Sequence, residues 1–124
     1  MPTVIEPAEE PAVAPPPSGE RSPCCALYHH AVELIGRRWT GAILLVLVEG
    51  GPLRFSEIRT LVPDVSDRLL SERLKELETE GIVVRHVYDE TPVRVEYELT
   101  VKGKALEPAL TALKQWSHDY CPGR

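Results

Sequence analysis

The sequence predicts a mainly α-helical domain that carries one small β-hairpin. Apolar residues repeat every three or four positions in several segments between residues 26 and 81, as they do along one face of a helix. After Gly81 the period changes to two over residues 82–88 and 93–100, which are rich in β-branched and aromatic residues. Helical spacing returns over residues 103–120. These changes of period indicate a hairpin set between helices.

The length and the placement of the prolines allow one domain. The chain has 124 residues, and seven of its 12 prolines fall within residues 1–23, a segment with little to bury. This composition predicts a disordered tail over residues 1–23. Residues 24–120 are then expected to form one folded domain, with residues 121–124 as its C-terminal end. About a hundred residues suffice for one core but not for an ordinary two-domain enzyme.

The net charge of −5 is unevenly distributed, because residues 1–22 hold four Glu and one Arg. The charge of the whole chain therefore cannot decide whether one face of the folded part is basic. The longest apolar run, residues 42–48, is far shorter than the roughly 20 residues that a membrane-spanning helix needs. We expect a cytoplasmic protein with no membrane partner.

Three helices are predicted before residue 63. Residues 26–36 have the pattern of an amphipathic helix, and residues 39–48 are apolar on nearly all sides, as in a helix buried by its neighbours. A turn is predicted at residues 50–52. Residues 54–61 form a short helix that Pro63 closes, because proline disfavours helix in the residue before it.

The fourth predicted helix begins after Ser66 and ends at Gly81. Ser66 is a favourable N-cap, Asp67 suits the positive first turn, and glycine commonly terminates a helix. The apolar stripe of this helix consists of Leu70, Leu74 and Leu77. Because about four residues join it to the preceding helix, the pair predicts a helix-turn-helix.

The second predicted strand alternates between apolar and polar residues. One face carries Val93, Val95, Tyr97 and Leu99, and the other carries Arg94, Glu96, Glu98 and Thr100. A hairpin with one buried face and a turn at residues 89–92 is therefore expected. Residues 103–120 should form one long helix, kinked by Pro108. Its apolar stripe exceeds what a small domain easily covers, which favours self-association through Leu106, Leu110, Leu113, Trp116 and Tyr120.

This order of elements is that of a winged helix-turn-helix, in which the second helix of the pair enters the major groove of DNA. The exposed face of the Ser66 helix is predicted to carry Arg68, Ser71, Glu72 and Lys75. Arginine can pair with guanine, glutamate can accept from cytosine, serine can contact either a base or a phosphate, and lysine can hold a phosphate. The alternative interpretation is a solvated polar face with no ligand.

Flanking residues extend the predicted contact with double-stranded DNA. Phosphate contacts from the short helix would come from Arg54, Ser56 and Arg59. Arg94, near the hairpin tip, could reach the DNA backbone or the minor groove, or instead pair with Glu96 or Asp89. Because Glu76, Glu78 and Glu80 make the end of the Ser66 helix acidic, the N-terminal half of that helix is expected to face DNA.

The three cysteines, Cys24, Cys25 and Cys121, predict neither a disulfide scaffold nor a zinc site, since no CxxC pair occurs. A cysteine at the start of the first helix could serve as a redox switch, because the helix dipole favours the thiolate there. Inert cysteines are an equally consistent interpretation. Without a phosphate loop or a nucleophile elbow, an enzyme is the weakest hypothesis, and no cofactor or metal is predicted.

Four segments resemble the HxlR family of bacterial transcriptional regulators: GRRW at residues 36–39, RFSEI at 54–58, LSERLKELE at 70–78 and PVRVEYELT at 92–100. They recur in the family's order and spacing. The resemblance covers about residues 24–120. It implies a homodimer, more often a repressor, on an operator of two inverted half-sites.

The resemblance also implies roles for individual residues. The family's recognition helix would include Ser66, Arg68, Ser71, Glu72 and Arg73, with Arg94 on its wing, and Glu72 stands where Gln is more usual. The first helix, with Leu27, would join the terminal helix in the dimer interface. The cysteine that some members use to sense oxidants or electrophiles implies a switch at Cys25, although that position falls at Ala26 when counted back from Gly36. Pro108 matches the family's kink.

Two rival functions follow from the same residues. The net acidity is compatible with a winged-helix module that binds protein rather than DNA. A thiol or metal sensor with secondary DNA binding is the other alternative. The sequence does not identify a small effector.

Overall fold

The structure is a computed structural model and describes residues 25–123. The predicted tail, Cys24 and Arg124 lie outside the described residues. Among the described residues, the chain divides into two units after Val32, and the core, the sheet and the helix-turn-helix all belong to the second, from Glu33 onward. A helix with the length and hydrophobicity of a membrane span is absent from residues 25–123.

The first three helices occupy the segments that the sequence predicts. They are α1 (Ala26–Ile35), α2 (Thr40–Gly50) and α3 (Phe55–Leu61). The buried residues of α2, which are Thr40, Ile43, Leu44 and Leu47, lie on one face, and Leu45, Val46 and Val48 are only partly buried, so this helix is less enclosed than the sequence predicts. Gly51 ends α2 at a φ of 73°, a left-handed conformation that glycine adopts without steric cost.

The helix-turn-helix pair is completed by α4 (Asp67–Thr79). The predicted N-cap is confirmed, because the Ser66 hydroxyl accepts a hydrogen bond from the backbone N–H of Leu69 at 3.1 Å. The connection between α3 and α4 contains Val62 and Val65, both of which are buried in the core. These two valines fix the turn between the helices by packing rather than by a turn motif alone.

The sheet has three strands, one more than the sequence predicts. The hairpin strands are β2 (Val83–Tyr88) and β3 (Arg94–Leu99), and the short β1 (Leu53–Arg54) pairs antiparallel with β3. The strand order is β1-β3-β2. A two-residue strand has no measurable period, so the alternation of side chains could not indicate it.

The expectation that one whole face of the hairpin is buried is wrong. Leu99 is buried within β3, together with its register partner Val83 on β2, whereas Val93 precedes the strand and is 61% exposed. The cause is geometric: the base of the hairpin packs on the helices, and its tip extends past them. The same alternation of apolar and polar residues therefore runs from the buried base of the hairpin to its exposed tip.

The prediction of one kinked helix over residues 103–120 is also wrong. The segment forms a short α5 (Val101–Lys104) and a separate α6 (Glu107–Tyr120). Thr100 caps α5 by accepting a hydrogen bond from the Gly103 N–H at 3.1 Å. Pro108 lies in the first turn of α6, where the missing N–H has no helical partner to lose. It therefore starts a helix instead of kinking one.

The core is formed by apolar side chains from every helix except α5 and from the base of the hairpin. Its buried members are Leu34, Ile43, Leu44, Leu47, Ile58, Val62, Val65, Leu70, Leu74, Leu77, Ile82, Val83, Leu99 and Leu110. The stripe that the sequence assigns to α4 is buried in full. The opposite side of α4 is consequently left to solvent.

Replacing Gly103 with alanine is expected to destabilise the fold. A methyl group at this buried position would overlap the backbone carbonyl oxygen of Ile82 and touch the Leu99 side chain. Overpacking of this kind costs about 1–3 kcal/mol in the free energy of unfolding, which chemical denaturation would measure. The matched control is Gly41→Ala on α2, where the nearest atom lies 4.0 Å away. Equal stabilities of the two variants would contradict the close fit of α5 against the hairpin base.

Candidate nucleic-acid interface

The exposed face of α4 carries the residues that the sequence predicts. The Arg68 side chain is 85% exposed, and its Nε lies 3.6 Å from Oε2 of Glu72. Ser71 and Lys75 are exposed on the same side. An exposed ion pair at this distance contributes little to stability, so these side chains can reorient towards a ligand at low cost.

The N-terminus of α4 is held in place by α3. Arg59 on α3 donates to both carboxylate oxygens of Asp67, at 2.8 and 3.0 Å. Both bonds come from Nη1 of Arg59, and together with the Ser66 cap this charge-assisted contact orients the first turn of α4. Arg59, predicted as a phosphate clamp, is thus placed as a brace between the two helices, with about half of its side chain still exposed.

The structure directs Arg73 away from the exposed face. Only 16% of its side chain is exposed. Its Nε donates to the backbone carbonyl of Arg38 at 2.9 Å, and its guanidinium pairs with Glu76 at 3.1 Å. Arg37 binds the same Glu76 carboxylate at 3.0 Å. Arg73 therefore anchors α4 to the loop before α2, a contact 35 residues away that helical spacing cannot indicate.

Arg94 takes the ion-paired alternative that the sequence allows. Its guanidinium lies 2.7 Å from Glu96 and 2.9 Å from Glu90, and it stacks 4.1 Å from the centre of the Tyr88 ring. The hydrogen bond from Arg94 lowers the pKa of Glu90. The hydrogen bonds that Arg94 donates to Glu90 and, to a smaller extent, to Glu96 raise the pKa of Arg94. The sequence named Glu96 or Asp89 as the partner of Arg94, and the structure pairs Arg94 with Glu96 and with Glu90.

The other predicted phosphate contacts lie at the start of α3. Arg54, the last residue of β1 and the N-cap of α3, and Ser56, in the first turn of α3, are both exposed. The backbone N–H of Arg54 donates to Glu57 at 2.7 Å, which fixes the first turn of the helix. Arg54 also contributes to the lowered pKa of Glu90, after the larger effect of Arg94, so the two arginines share one electrostatic neighbourhood.

The predicted self-association stripe of α6 divides into a core part and an exposed part. Leu110 is buried and Leu106 packs partly against the core, so these two side chains serve the interior of one chain. Leu113, Trp116 and Tyr120 are exposed, and the Trp116 and Tyr120 rings lie 5.5 Å apart. Leu27, on α1, is also exposed.

The described cysteines lie at the ends of helices. Cys25 directly precedes α1 and Cys121 directly follows α6, and both are exposed. Among residues 25–123, no group of three His, Cys, Asp or Glu side chains is arranged to hold a metal ion.

Sequence reasoning missed a basic residue beside α4. Arg85 lies in the middle of β2 and lines a surface groove with Ser71, Lys75, Glu78 and Tyr97. The alternation of the strand carried a signal, because Arg85 shares a face with the buried Val83 two residues earlier. A charge on an otherwise apolar face is unusual for a strand that serves only the core.

The fold and this surface define a class: a helix-turn-helix with a β-hairpin wing beside an exposed, polar second helix, as in DNA-binding transcriptional regulators. The family model of the HxlR-like helix-turn-helix matches residues 34–124. The chain therefore belongs to the HxlR-like helix-turn-helix family, as the resemblance implied.

Two relatives from Bacillus subtilis (strain 168) are similar over most of the chain. The uncharacterised regulator YvaP is 48% identical over 100 residues, which are 81% of this chain and 92% of YvaP. The regulator YodB is 46% identical over 100 residues, which are 80% of this chain and 88% of YodB. Both are described as helix-turn-helix transcriptional regulators.

Solved structures agree with the fold. The reduced form of YodB has a TM-score of 0.70 at 46% identity and covers 81% of this chain and 98% of YodB. The redox regulator HypR in its oxidised form has a TM-score of 0.73 at 35% identity, covering 78% of this chain and 99% of HypR. The prediction of a winged helix-turn-helix regulator is confirmed.

Proposed function

We propose that this chain acts as a homodimeric repressor that binds an inverted-repeat operator through α4. The observation that carries the proposal is the exposed face of α4, which holds Arg68, Ser71, Glu72 and Lys75 opposite a fully buried leucine stripe. A helix held by one face and bare on the other can enter a major groove without disturbing the fold. The family's regulators support the DNA-binding role.

The side chains of α4 suggest how bases are read. Arg68 can donate two hydrogen bonds to guanine once it leaves Glu72, and the freed Glu72 carboxylate can accept from cytosine N4. Both bonding partners of a G·C pair would then be contacted by adjacent turns of one helix. Ser66 is engaged as the N-cap, which limits its hydroxyl to a supporting role.

Homodimerisation is supported by the exposed side of α6. Leu113, Trp116 and Tyr120 form an apolar strip on a helix whose other side is held by the core. A two-fold dimer places two recognition helices about one DNA turn apart, which matches an inverted repeat.

Redox control is a second element of the proposal, and the relatives of known structure favour it. HypR is a redox regulator solved in oxidised and reduced forms, and YodB has been solved after treatment with diamide. Cys25, exposed before α1, is the residue proposed to respond in this chain, with Cys24 beside it.

Arg68→Ala is expected to weaken binding to the cognate site by about 1–3 kcal/mol and to relax discrimination at one base pair. Folding stability should change by less than about 0.5 kcal/mol, because the side chain is largely exposed. The measurement is a salt-controlled gel shift on a site selected from genomic DNA, with Lys104→Ala on α5 as the control cation. An equal loss on every sequence would make Arg68 a phosphate anchor. Absence of binding by the native protein at low salt would remove the DNA-binding proposal.

Trp116→Asp is expected to raise the dissociation constant of the dimer by about a factor of ten or more, which is about 1.4 kcal/mol. The physical reason is that a carboxylate would have to be desolvated within an apolar strip. Sedimentation equilibrium would measure the shift. Thr111→Asp is the matched control, because Thr111 is exposed on the opposite side of α6. If both variants dimerise as the native protein does, this strip is not the interface.

Cys25→Ser is expected to abolish the effect of diamide on DNA binding while leaving the affinity of the reduced protein unchanged. Diamide oxidises two thiols to a disulfide and is reduced by the two hydrogens that they lose; here the disulfide would join Cys25 of one protomer to Cys25 of its partner, and a serine leaves no sulfur to pair. The control is Cys121→Ser at the other end of the described chain. If the effect of diamide on DNA binding survives in Cys25→Ser and disappears in Cys24→Ser, the redox-sensitive residue is Cys24 and not Cys25.

A further inference from the structure

A groove runs between the recognition helix and the hairpin on the side of the sheet that faces the helices. Ser71, Lys75 and Glu78 line it from α4, and Arg85 and Tyr97 line it from the hairpin. Arg85 and Tyr97 are register partners on β2 and β3. The groove is therefore built on two elements that already pack against each other.

The two cations of this groove differ from their neighbours in having no acidic partner. Within residues 25–123, neither Lys75 nor Arg85 takes part in an ion pair, whereas Arg68, Arg73 and Arg94 on α4 and β3 all do. Glu78 is the carboxylate that lines the groove, so the cations outnumber it by two to one. The groove consequently carries an uncompensated positive charge that an anion could neutralise.

Strand register shows why Arg85 is out of place in a purely structural hairpin. Val83 lies on the same face, paired with Leu99, and both are buried in the core. An apolar residue at position 85 would extend that core, yet the position holds an exposed guanidinium. Arg85 therefore removes apolar burial from this position, and no ion pair within residues 25–123 compensates for that loss.

We propose that this groove binds a phosphodiester of the DNA backbone. Lys75 and Arg85 would supply the positive charge, and the hydroxyls of Ser71 and Tyr97 would donate hydrogen bonds to the phosphate oxygens. The inference rests on the proposed function: when α4 enters a major groove and the hairpin reaches the flanking DNA, the strand between them passes through this groove. The contact is independent of base sequence.

The test measures binding to a fluorescein-labelled duplex of mixed sequence over a range of salt concentrations. The slope of log affinity against log salt reports the number of phosphates contacted. Arg85→Gln is expected to lower the magnitude of this slope by about one, and Arg85→Lys, which keeps the charge, should restore it. Lys104→Gln is the matched control, since Lys104 is an exposed cation away from the groove.

The outcomes separate this inference from the proposed function. If the native protein binds the duplex and Arg85→Gln leaves the salt slope unchanged, the inference that the groove contacts a phosphate is wrong, and the proposed function stands. A native protein that binds no duplex at low salt would overturn the proposed function, and the groove's role with it.

A free anion shares the same chemistry, and a titration without DNA distinguishes it. NMR shifts at Arg85 and Tyr97 would follow the binding of inorganic phosphate to the groove. The site binds a small anion if phosphate saturates it at submillimolar concentration and Arg85→Gln leaves the salt slope of DNA binding unchanged. Weak, unsaturated binding of inorganic phosphate together with a reduced DNA slope supports the backbone contact.

Discussion

Burial of three leucines on one face of α4 orients every other residue of that helix. Leu70, Leu74 and Leu77 are almost completely buried. Each such side chain contributes about 1.5–3 kcal/mol through removal from water, so rotation of the helix about its axis would be costly. The polar residues on the opposite side are therefore presented as a fixed set. A surface that reads DNA requires this rigidity, because a small displacement loses directional hydrogen bonds.

Ion pairs divide the basic residues of the interface into two groups. Arg59 and Arg73 bind groups on neighbouring segments, and Arg94 binds Glu96 on its own strand and Glu90 in the hairpin turn. Arg68 has a single long pair, and Lys75 and Arg85 have no ion pair within residues 25–123. The first group shapes the surface and the second remains available to a ligand. A count of arginines in the sequence does not separate these groups, since all of them are charged at neutral pH.

Local signals predicted most of the fold because the segments are strongly periodic. The Ser66 cap and the leucine stripe of α4 were both recognisable, since capping and helical spacing act within a few residues. The failures share a different cause. β1 exists because it pairs with β3 some 40 residues later, and α5 packs so closely on the hairpin base that a methyl group at Gly103 would overlap the Ile82 carbonyl oxygen. Neither contact has a signature in its own segment.

By itself, the sequence determined the class of protein, the order of its elements and the exposed face of α4, because each depends on spacing between near neighbours. The tertiary structure decided which of the charged residues remain available. Arg73 is withdrawn by a carbonyl 35 residues away, Arg94 is held by Glu90 and Glu96, and Arg85 faces Lys75 across a groove. The physical reason is that a charge is neutralised by the nearest opposite charge in space, and the folded chain sets which groups are near.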